Sequence, residues 1–204
     1  MVKTYLKHNL IGAIFLGLVL LFASPVLMSL KNLDEVKSAF VVELYLVFLG
    51  VIFLVPIFSP DSTQSIYETT RSRAMPLWKH FLVRLTVSLS FIFCLIFVFL
   101  LFMQHNNCTF PFQIYLLSAF ASAVFLGALG VLAYSLTNQV AVAYMVPILY
   151  FILNLGSGKK ILKDFYLFSL LQGNYEPKKL LFAVGVLIIL TSMGVRLRRG
   201  SDQA

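Results

Sequence analysis

The side chains that could perform chemistry are few in this sequence and lie far apart. The histidines His8, His80 and His105 show no spacing typical of metal ligands. Cys94 lies in an apolar run and Cys108 in a polar connection, so we expect neither a disulfide between them nor a cysteine metal site. No Gly-x-Ser-x-Gly nucleophile elbow is present. We therefore expect that the chain is not itself an enzyme and binds no metal.

The stretch GSGKK at 156–160 is the nearest approach to a phosphate-binding loop. A P-loop requires a glycine five residues before its Gly-Lys pair and a serine or threonine after the lysine. Leu153 and Lys160 occupy those two positions. We therefore expect that the chain binds no nucleotide or other cofactor of its own.

Glu43 is an acidic residue near the start of a long apolar run. An ionisable residue inside a membrane span is costly and is a functional hypothesis by default. Two interpretations stay open from the sequence. Glu43 either reaches water or pairs with Lys31 or Lys37 near the membrane surface, or it faces a central path and favours a cationic part of a substrate.

Two further positions are candidates for a substrate path or gate. Pro147 can kink the helix that contains it, and Asn154 near the end of that helix can cap the break. In the preceding apolar run, Ala119, Ala123 and Gly127 recur at i, i+4 spacing. Small residues let helices approach closely in lipid, and we expect this stripe to pack within the chain rather than form a dimer seam.

The composition is that of a membrane protein. Of the 204 residues, 60% are hydrophobic and only 12% are charged, and the mean hydropathy is +0.92. This leaves too little polar surface to cover a soluble globule. The net charge of +8 comes from bases at the ends of apolar runs, which is typical of snorkelling side chains and not of nucleic-acid binding.

Long apolar runs predict an all-α, polytopic protein with a single transmembrane domain over residues 1–204. A helix needs roughly 20 apolar residues to cross a bilayer core. Six runs qualify, at about 9–30, 39–58, 81–103, 113–136, 139–155 and 180–195.

The basic residues predict the orientation. If the six spans alternate in direction, every arginine falls on one side, together with Lys3, Lys7 and Lys79. The positive-inside rule places that side in the cytoplasm, with both termini, in a protein of the cell (inner) membrane.

Two connections between the spans stand out. The inner connection at 59–80 is charged, and Asp61, Ser62 and Thr63 offer N-caps for a short helix over about 63–72. The outer segment 156–179 contains the apolar stretch FYLFSLL, which is too short to span and too apolar to lie in water. We expect it to be re-entrant or interfacial.

With this layout, the stretches IYETTRSRAMPLWKHFLVRL and FLGALGVLAYSLTNQVAVAYMVP make the chain resemble the type-2 ABC exporter permeases. The resemblance implies that the first inner connection carries a coupling helix that rests in a cleft of an ATPase subunit. The implied ATPase-coupling residues are Ser62, Ile66, Tyr67, Glu68, Arg71 and Arg73.

The resemblance also implies partners and a function. ATP and magnesium would be bound by a separate ABC ATPase subunit, and a second permease subunit, identical or a sibling, would complete the path across the lipid bilayer. The expected cargo is amphipathic or hydrophobic, such as a hydrophobic peptide moved out of the cell. Two alternatives stay open: a secondary transporter, for which buried charge is scarce, and a non-transporting membrane scaffold or immunity protein.

Overall fold

The computed structural model describes residues 11–28, 30–57, 77–156 and 162–202, and the description covers only the backbone for Leu77, Asp164 and 197–202. These residues form helices and turns, with no strand among them. The helices are α1 (Ile11–Leu27), α2 (Glu35–Ile57), α3 (Leu77–His105), α4 (Phe112–Thr137), α5 (Val140–Gly156) and α6 (Glu176–Asp202).

Four of these helices are long and apolar enough to cross a membrane. They are α2, α4, the part of α3 from Trp78 to His105, and the part of α6 from Glu176 to Arg196. Helices α1 and α5 are also apolar but have 17 residues each. That length corresponds to about 26 Å, slightly less than a bilayer core. The described part of the chain is thus all-helical, with four helices that could span a membrane, and a count of six crossings remains a prediction.

Helix α4 lies at the centre of the bundle and packs against α2, α3, α5 and α6. In the most apolar 18-residue stretch of each helix, 72% of the residues of α2 and of α4 are buried, whereas only 28% of those of α3 and of α6 are buried. Helix α3 accordingly exposes a face of large apolar side chains, including Phe93, Phe97 and Phe102. In a membrane protein such a face is suited to lipid or to another subunit.

Small residues bring α2 and α4 into direct backbone contact. A Cβ atom added to Gly50 would lie 1.7 Å from the carbonyl oxygen of Ala123, and one added to Gly127 would lie 2.5 Å from the carbonyl oxygen of Gly50. Helix α6 approaches α4 in a similar way, since a Cβ on Gly185 would lie 3.0 Å from Cα of Phe125. The small residues expected to pack within the chain do so.

The connections that follow α1 and α3 meet at one end of the bundle. The Asn32 amide donates to the carbonyl of Asn106 over 3.1 Å, and the Thr109 amide donates to the carbonyl of Leu33 over 3.1 Å. The Tyr115 hydroxyl donates to the carbonyl of Glu35 over 2.8 Å. We call this the loop end, and we call residues 162–175, which contact α2 and α6 there, the loop-end segment.

The opposite end of the bundle carries arginines. Arg84 Nη1 donates to the carbonyl of Ile57 over 3.2 Å, at the base of the connection between α2 and α3. Arg196 donates to the side chain of Asn138 in the turn after α4 and lies over the Tyr134 ring. We call this the arginine end. The described helices therefore run alternately up and down, which is the condition on which the predicted orientation depends.

The predicted coupling helix over about 63–72 falls outside the described residues. The same holds for all the coupling residues inferred from the resemblance, namely Ser62, Ile66, Tyr67, Glu68, Arg71 and Arg73.

Candidate functional site

An acidic side chain is buried in α2 where the helix changes its geometry. Residues Val42–Leu46 form a π-helical turn within an otherwise mostly α-helical element. A π-turn inserts an extra residue into an α-helix and is frequent at functional sites. Glu43 lies in this turn and is fully buried. Glu43 therefore does not reach water in this structure.

Lys178 neutralises Glu43 from the first turn of α6. The two side chains form an ion pair with 2.7 Å between Lys178 Nζ and Glu43 Oε1. Lys178 Nζ also donates to Ser122 Oγ of α4 over 2.7 Å and to the carbonyl of Leu167. A lysine ammonium has three donors, so these contacts use all of them. We call Glu43, Ser122 and Lys178 the charge cluster.

The position of Lys178 makes a negatively charged partner such as Glu43 necessary. The N-terminal end of a helix carries a partial positive charge, which disfavours a cation in the first turn. Burial adds to that cost, since only 3% of Lys178 is exposed. The carboxylate of Glu43 offsets both effects. Removing either ion alone would therefore leave an uncompensated buried charge.

The charge cluster holds the backbone of the loop-end segment. Glu43 Oε1 accepts a hydrogen bond from the Leu170 amide over 3.0 Å, and Lys178 donates to the Leu167 carbonyl. The segment contains only short 3₁₀ turns, at Lys163–Phe165 and Leu170–Gln172, so many of its main-chain groups need partners from outside.

Helix α5 supplies two more side chains that hold the segment. Asn154 Oδ1 accepts from the Leu167 amide over 2.8 Å, while its Nδ2 donates to the carbonyl of Tyr150 over 2.9 Å. The Tyr150 hydroxyl donates to the carbonyl of Phe165 over 2.6 Å. Polar side chains thus bind main-chain groups of residues 165, 167 and 170.

Aromatic packing covers the same segment. Phe168 is 2% exposed, and its ring lies 5.6 Å from that of Phe151 and 6.0 Å from that of Tyr166. Burial raises the pKa of the Tyr166 phenol above its usual value, and the negative charge of Glu43 raises it further. Tyr166 is therefore neutral at physiological pH.

An apolar cavity of about 420 Å³ borders the segment on the side of α2. Its wall includes Met28, Leu33, Phe40 and, from the segment itself, Leu171, and Lys37 is the one charged residue among the described residues that line it. Leu171 is only partly buried, so the segment has free space on one side.

The structure brings two of the predicted path residues together. Glu43 and Asn154 bind the same segment through the amides of Leu170 and Leu167, respectively. Pro147 lies deeper in α5 and is buried close to Gly130 of α4, away from the charge cluster.

The pairing of Glu43 with a nearby lysine, which the sequence left open, is wrong. Lys37 instead lies 3.7 Å from Asp34 in an exposed pair, and Glu43 binds Lys178. Sequence reasoning placed Lys178 in the outer connection and did not find Ser122 or Tyr150. The only signal for Lys178 was its place at the start of the last apolar run.

Among the described residues there is no group of three or more His, Cys, Asp or Glu side chains that could hold a metal ion.

The candidate site is a buried charge cluster that binds the non-helical loop-end segment. Comparison with protein-family models, with curated proteins and with solved structures gave no match.

Proposed function

We propose that the chain is the membrane-spanning permease subunit of an ATP-driven exporter, with ATP and magnesium bound by separate ATPase subunits. The observation that carries the proposal is the joint at the base of connection 58–76. There Arg84 of α3 donates to the carbonyl of Ile57 at the end of α2. Helices α2 and α3 are therefore linked where a partner pressing on the connection would act on both.

Helix α2 offers a route for movement from that joint to the loop end. It contacts the backbone of α4 at Gly50 and then reaches Glu43 in the charge cluster. A close-packed helix moves as a rigid element, so displacement at Ile57 would tilt α2 about its contact at Gly50 and act on the cluster at the other end. The proposed cycle uses this route to open and close a path at the loop end.

The surface of the bundle suits a second permease subunit. Helices α1 and α3 expose large apolar side chains, among them Phe15, Phe22, Phe93 and Phe97. Lipid covers such faces, and a second subunit packed on one of them would complete the path. The cargo that fits apolar walls is an amphipathic or hydrophobic molecule, such as a hydrophobic peptide.

The distribution of bases supports a cytoplasmic location of the arginine end. Arg84 and Arg196 both lie there. At the loop end Lys178 is buried and paired, so it is not one of the water-exposed bases that oppose this orientation. The positive-inside rule then favours the cell membrane with both termini in the cytoplasm.

A secondary transporter is the second candidate, and the buried ion pair is the observation that favours it. Ionisable residues within spans often form ion or proton pathways. The sequence indicated only Glu43 as an ionisable residue within a span, and the structure adds Lys178 as its buried partner. The two functions differ in their energy source, because only the exporter needs an ATPase partner.

The decisive experiment is purification of the tagged chain from its native membrane in mild detergent, followed by identification of the bound proteins. We expect an ATPase in near-equal amount, and its loss when residues 62–73 are replaced by a Gly/Ser linker of equal length. The matched control is replacement of residues 106–110 at the loop end by a linker of equal length, which should retain the ATPase. Monodisperse material without an ATPase would overturn the exporter proposal.

A finer variant tests docking without deleting the connection. Replacing Ile66 and Tyr67 together by alanine should uncouple ATP hydrolysis from transport while expression stays normal. The control replaces the exposed Ile114 and Leu117 of α4 by alanine. Unchanged coupling in the first variant would contradict the docking role.

A further inference from the structure

The geometry points to a gate: residues 165–172 of the loop-end segment close the loop end of the bundle, and the Glu43–Lys178 ion pair holds them closed. This inference goes beyond the proposed function, because it needs no ATPase and would serve a secondary transporter equally. The gate is the segment, and Glu43 and Lys178 are its positioning residues.

Side chains of the bundle bind the segment like a ligand. Its main-chain groups at Phe165, Leu167 and Leu170 are bound by side chains of α2, α5 and α6. Ser122 of α4 orients the lysine that makes one of these contacts. Side chains from three helices therefore bind one short stretch that is not itself a regular helix, and a fourth helix supports one of them.

The ion pair lowers the free energy needed to open the segment. Lifting the segment exposes the buried side chains of Leu167, Phe168 and Leu170 to water, and that cost opposes opening. The two ions behave differently, because they lose hydration when the segment closes and regain it when the segment lifts. The hydration that the ions regain therefore offsets part of the apolar cost of opening.

The segment has free space beside it. The cavity of about 420 Å³ is lined by Leu171 of the segment and also by Leu33 and Phe40. Leu171 follows directly after Leu170, whose amide is bound by Glu43. The hydrogen bond from Glu43 therefore holds the segment next to a space that it does not fill.

The test measures opening by the reaction of a buried thiol. Leu170 is 4% exposed, so L170C places a reporter on the buried side of the closed segment. The C94S background removes the exposed native thiol. Native Cys108 stays as an internal control, because it is buried at the same end with its Sγ 3.4 Å from the Leu30 carbonyl.

The reconstituted full chain is treated with a charged methanethiosulfonate reagent, and mass spectrometry measures labelling at each cysteine separately. K178Q and E43Q should each raise the labelling rate at position 170 by about tenfold or more, which corresponds to about 1.4 kcal/mol in the opening equilibrium. Cys108 should keep its low rate. The matched control K179Q changes a neighbouring lysine whose pair with Glu176 is exposed, and it should leave the rate at position 170 unchanged.

Three results would overturn the gate. The first is a rate at position 170 that is already high with the ion pair intact. The second is an unchanged rate in both K178Q and E43Q. The third is an equal rise at position 170 and at Cys108, which would show that the pair holds the whole loop end together. Since no ATPase is present in this measurement, its failure is separable from failure of the exporter proposal.

Discussion

Helix α4 is held by two layers of contacts that use opposite chemistry. In the outer layer, Ser122 meets the ion pair of Glu43 and Lys178. In the inner layer, the backbone next to Ser122 meets glycines of the same two partner helices. Gly50 follows Glu43 by seven residues and Gly185 follows Lys178 by seven, which is about 10 Å along a helix.

The two layers differ in how many arrangements of the helices they permit. The glycine layer depends on the absence of side chains and has one close-packed arrangement. The charge layer depends on which groups are paired, and water can replace the partners of both ions. The bundle is therefore fixed at its middle and able to change at the loop end.

The largest expected effect comes from filling the glycine layer. The substitution Gly50→Ala adds a Cβ that would lie 1.7 Å from a backbone oxygen, so a whole helix must shift. We expect a loss of more than about 5 kcal/mol in the free energy of unfolding, measured by thermal unfolding in mild detergent, because a clash between two backbones exceeds the usual overpacking cost of about 1–3 kcal/mol. Gly194→Ala is the matched control, because among the described residues its added Cβ meets no atom within 4 Å beyond its chain neighbours and its own helix backbone. Equal midpoints for the two variants would contradict the backbone contact.

The next effect comes from breaking the charge layer on one side. Lys178→Met leaves Glu43 buried without a counter-ion, and we expect a cost of about 3–5 kcal/mol in the free energy of unfolding. The double variant with Glu43→Gln should recover much of that loss, because no charge then remains buried. Costs that simply add in the double variant would show that the two residues are not coupled.

A smaller effect is expected at Asn154, which belongs to the same end but carries no charge. Asn154→Ala leaves the buried Leu167 amide without its acceptor and should cost about 1–3 kcal/mol by the same unfolding measurement. Asn106→Ala is a close control, because Nδ2 of each asparagine donates to the carbonyl four residues earlier, but Asn106 is only partly buried and its hydrogen bond is exposed. An equal loss of stability in the two variants would contradict a stabilising role for the hydrogen bond from the Leu167 amide to Asn154.

The smallest effect is expected for the exposed pair of Asp34 and Lys37. Its atoms are 3.7 Å apart and both side chains are largely in water. Lys37→Ala should change the free energy of unfolding by less than about 0.5 kcal/mol, and the change should vanish at high salt. If Lys37→Ala cost as much stability as Lys178→Met, the exposed pair would stabilise the fold as strongly as the buried pair, which would contradict the expected effect of exposure.

The sequence predicted the helices well because their main determinant is local. Within the described residues each of the six apolar runs overlaps an observed helix, and the stripe of Ala123 and Gly127 packs within the chain. The start of α6 was placed about four residues late, since Glu176, Lys178 and Lys179 are typical of a solvated connection. Lys178 belongs to the helix because a carboxylate from α2 neutralises it.

The candidate site was predicted only in part. Glu43 and Asn154 stood out as polar groups at membrane depth, and both bind the loop-end segment. Their common target could not be predicted, because hydrogen bonds to a non-helical backbone follow from the path of that backbone and not from residue spacing.

The sequence by itself determined that the protein is helical and that it is built for a membrane. These properties depend on the apolar area and length of each run, which can be counted along the chain. Only the tertiary structure decided that Glu43 pairs with Lys178 of the last helix and that the pair binds the loop-end segment. The physical reason is that a buried charge needs a partner in space, and residues distant in the chain become neighbours only when the helices pack around α4.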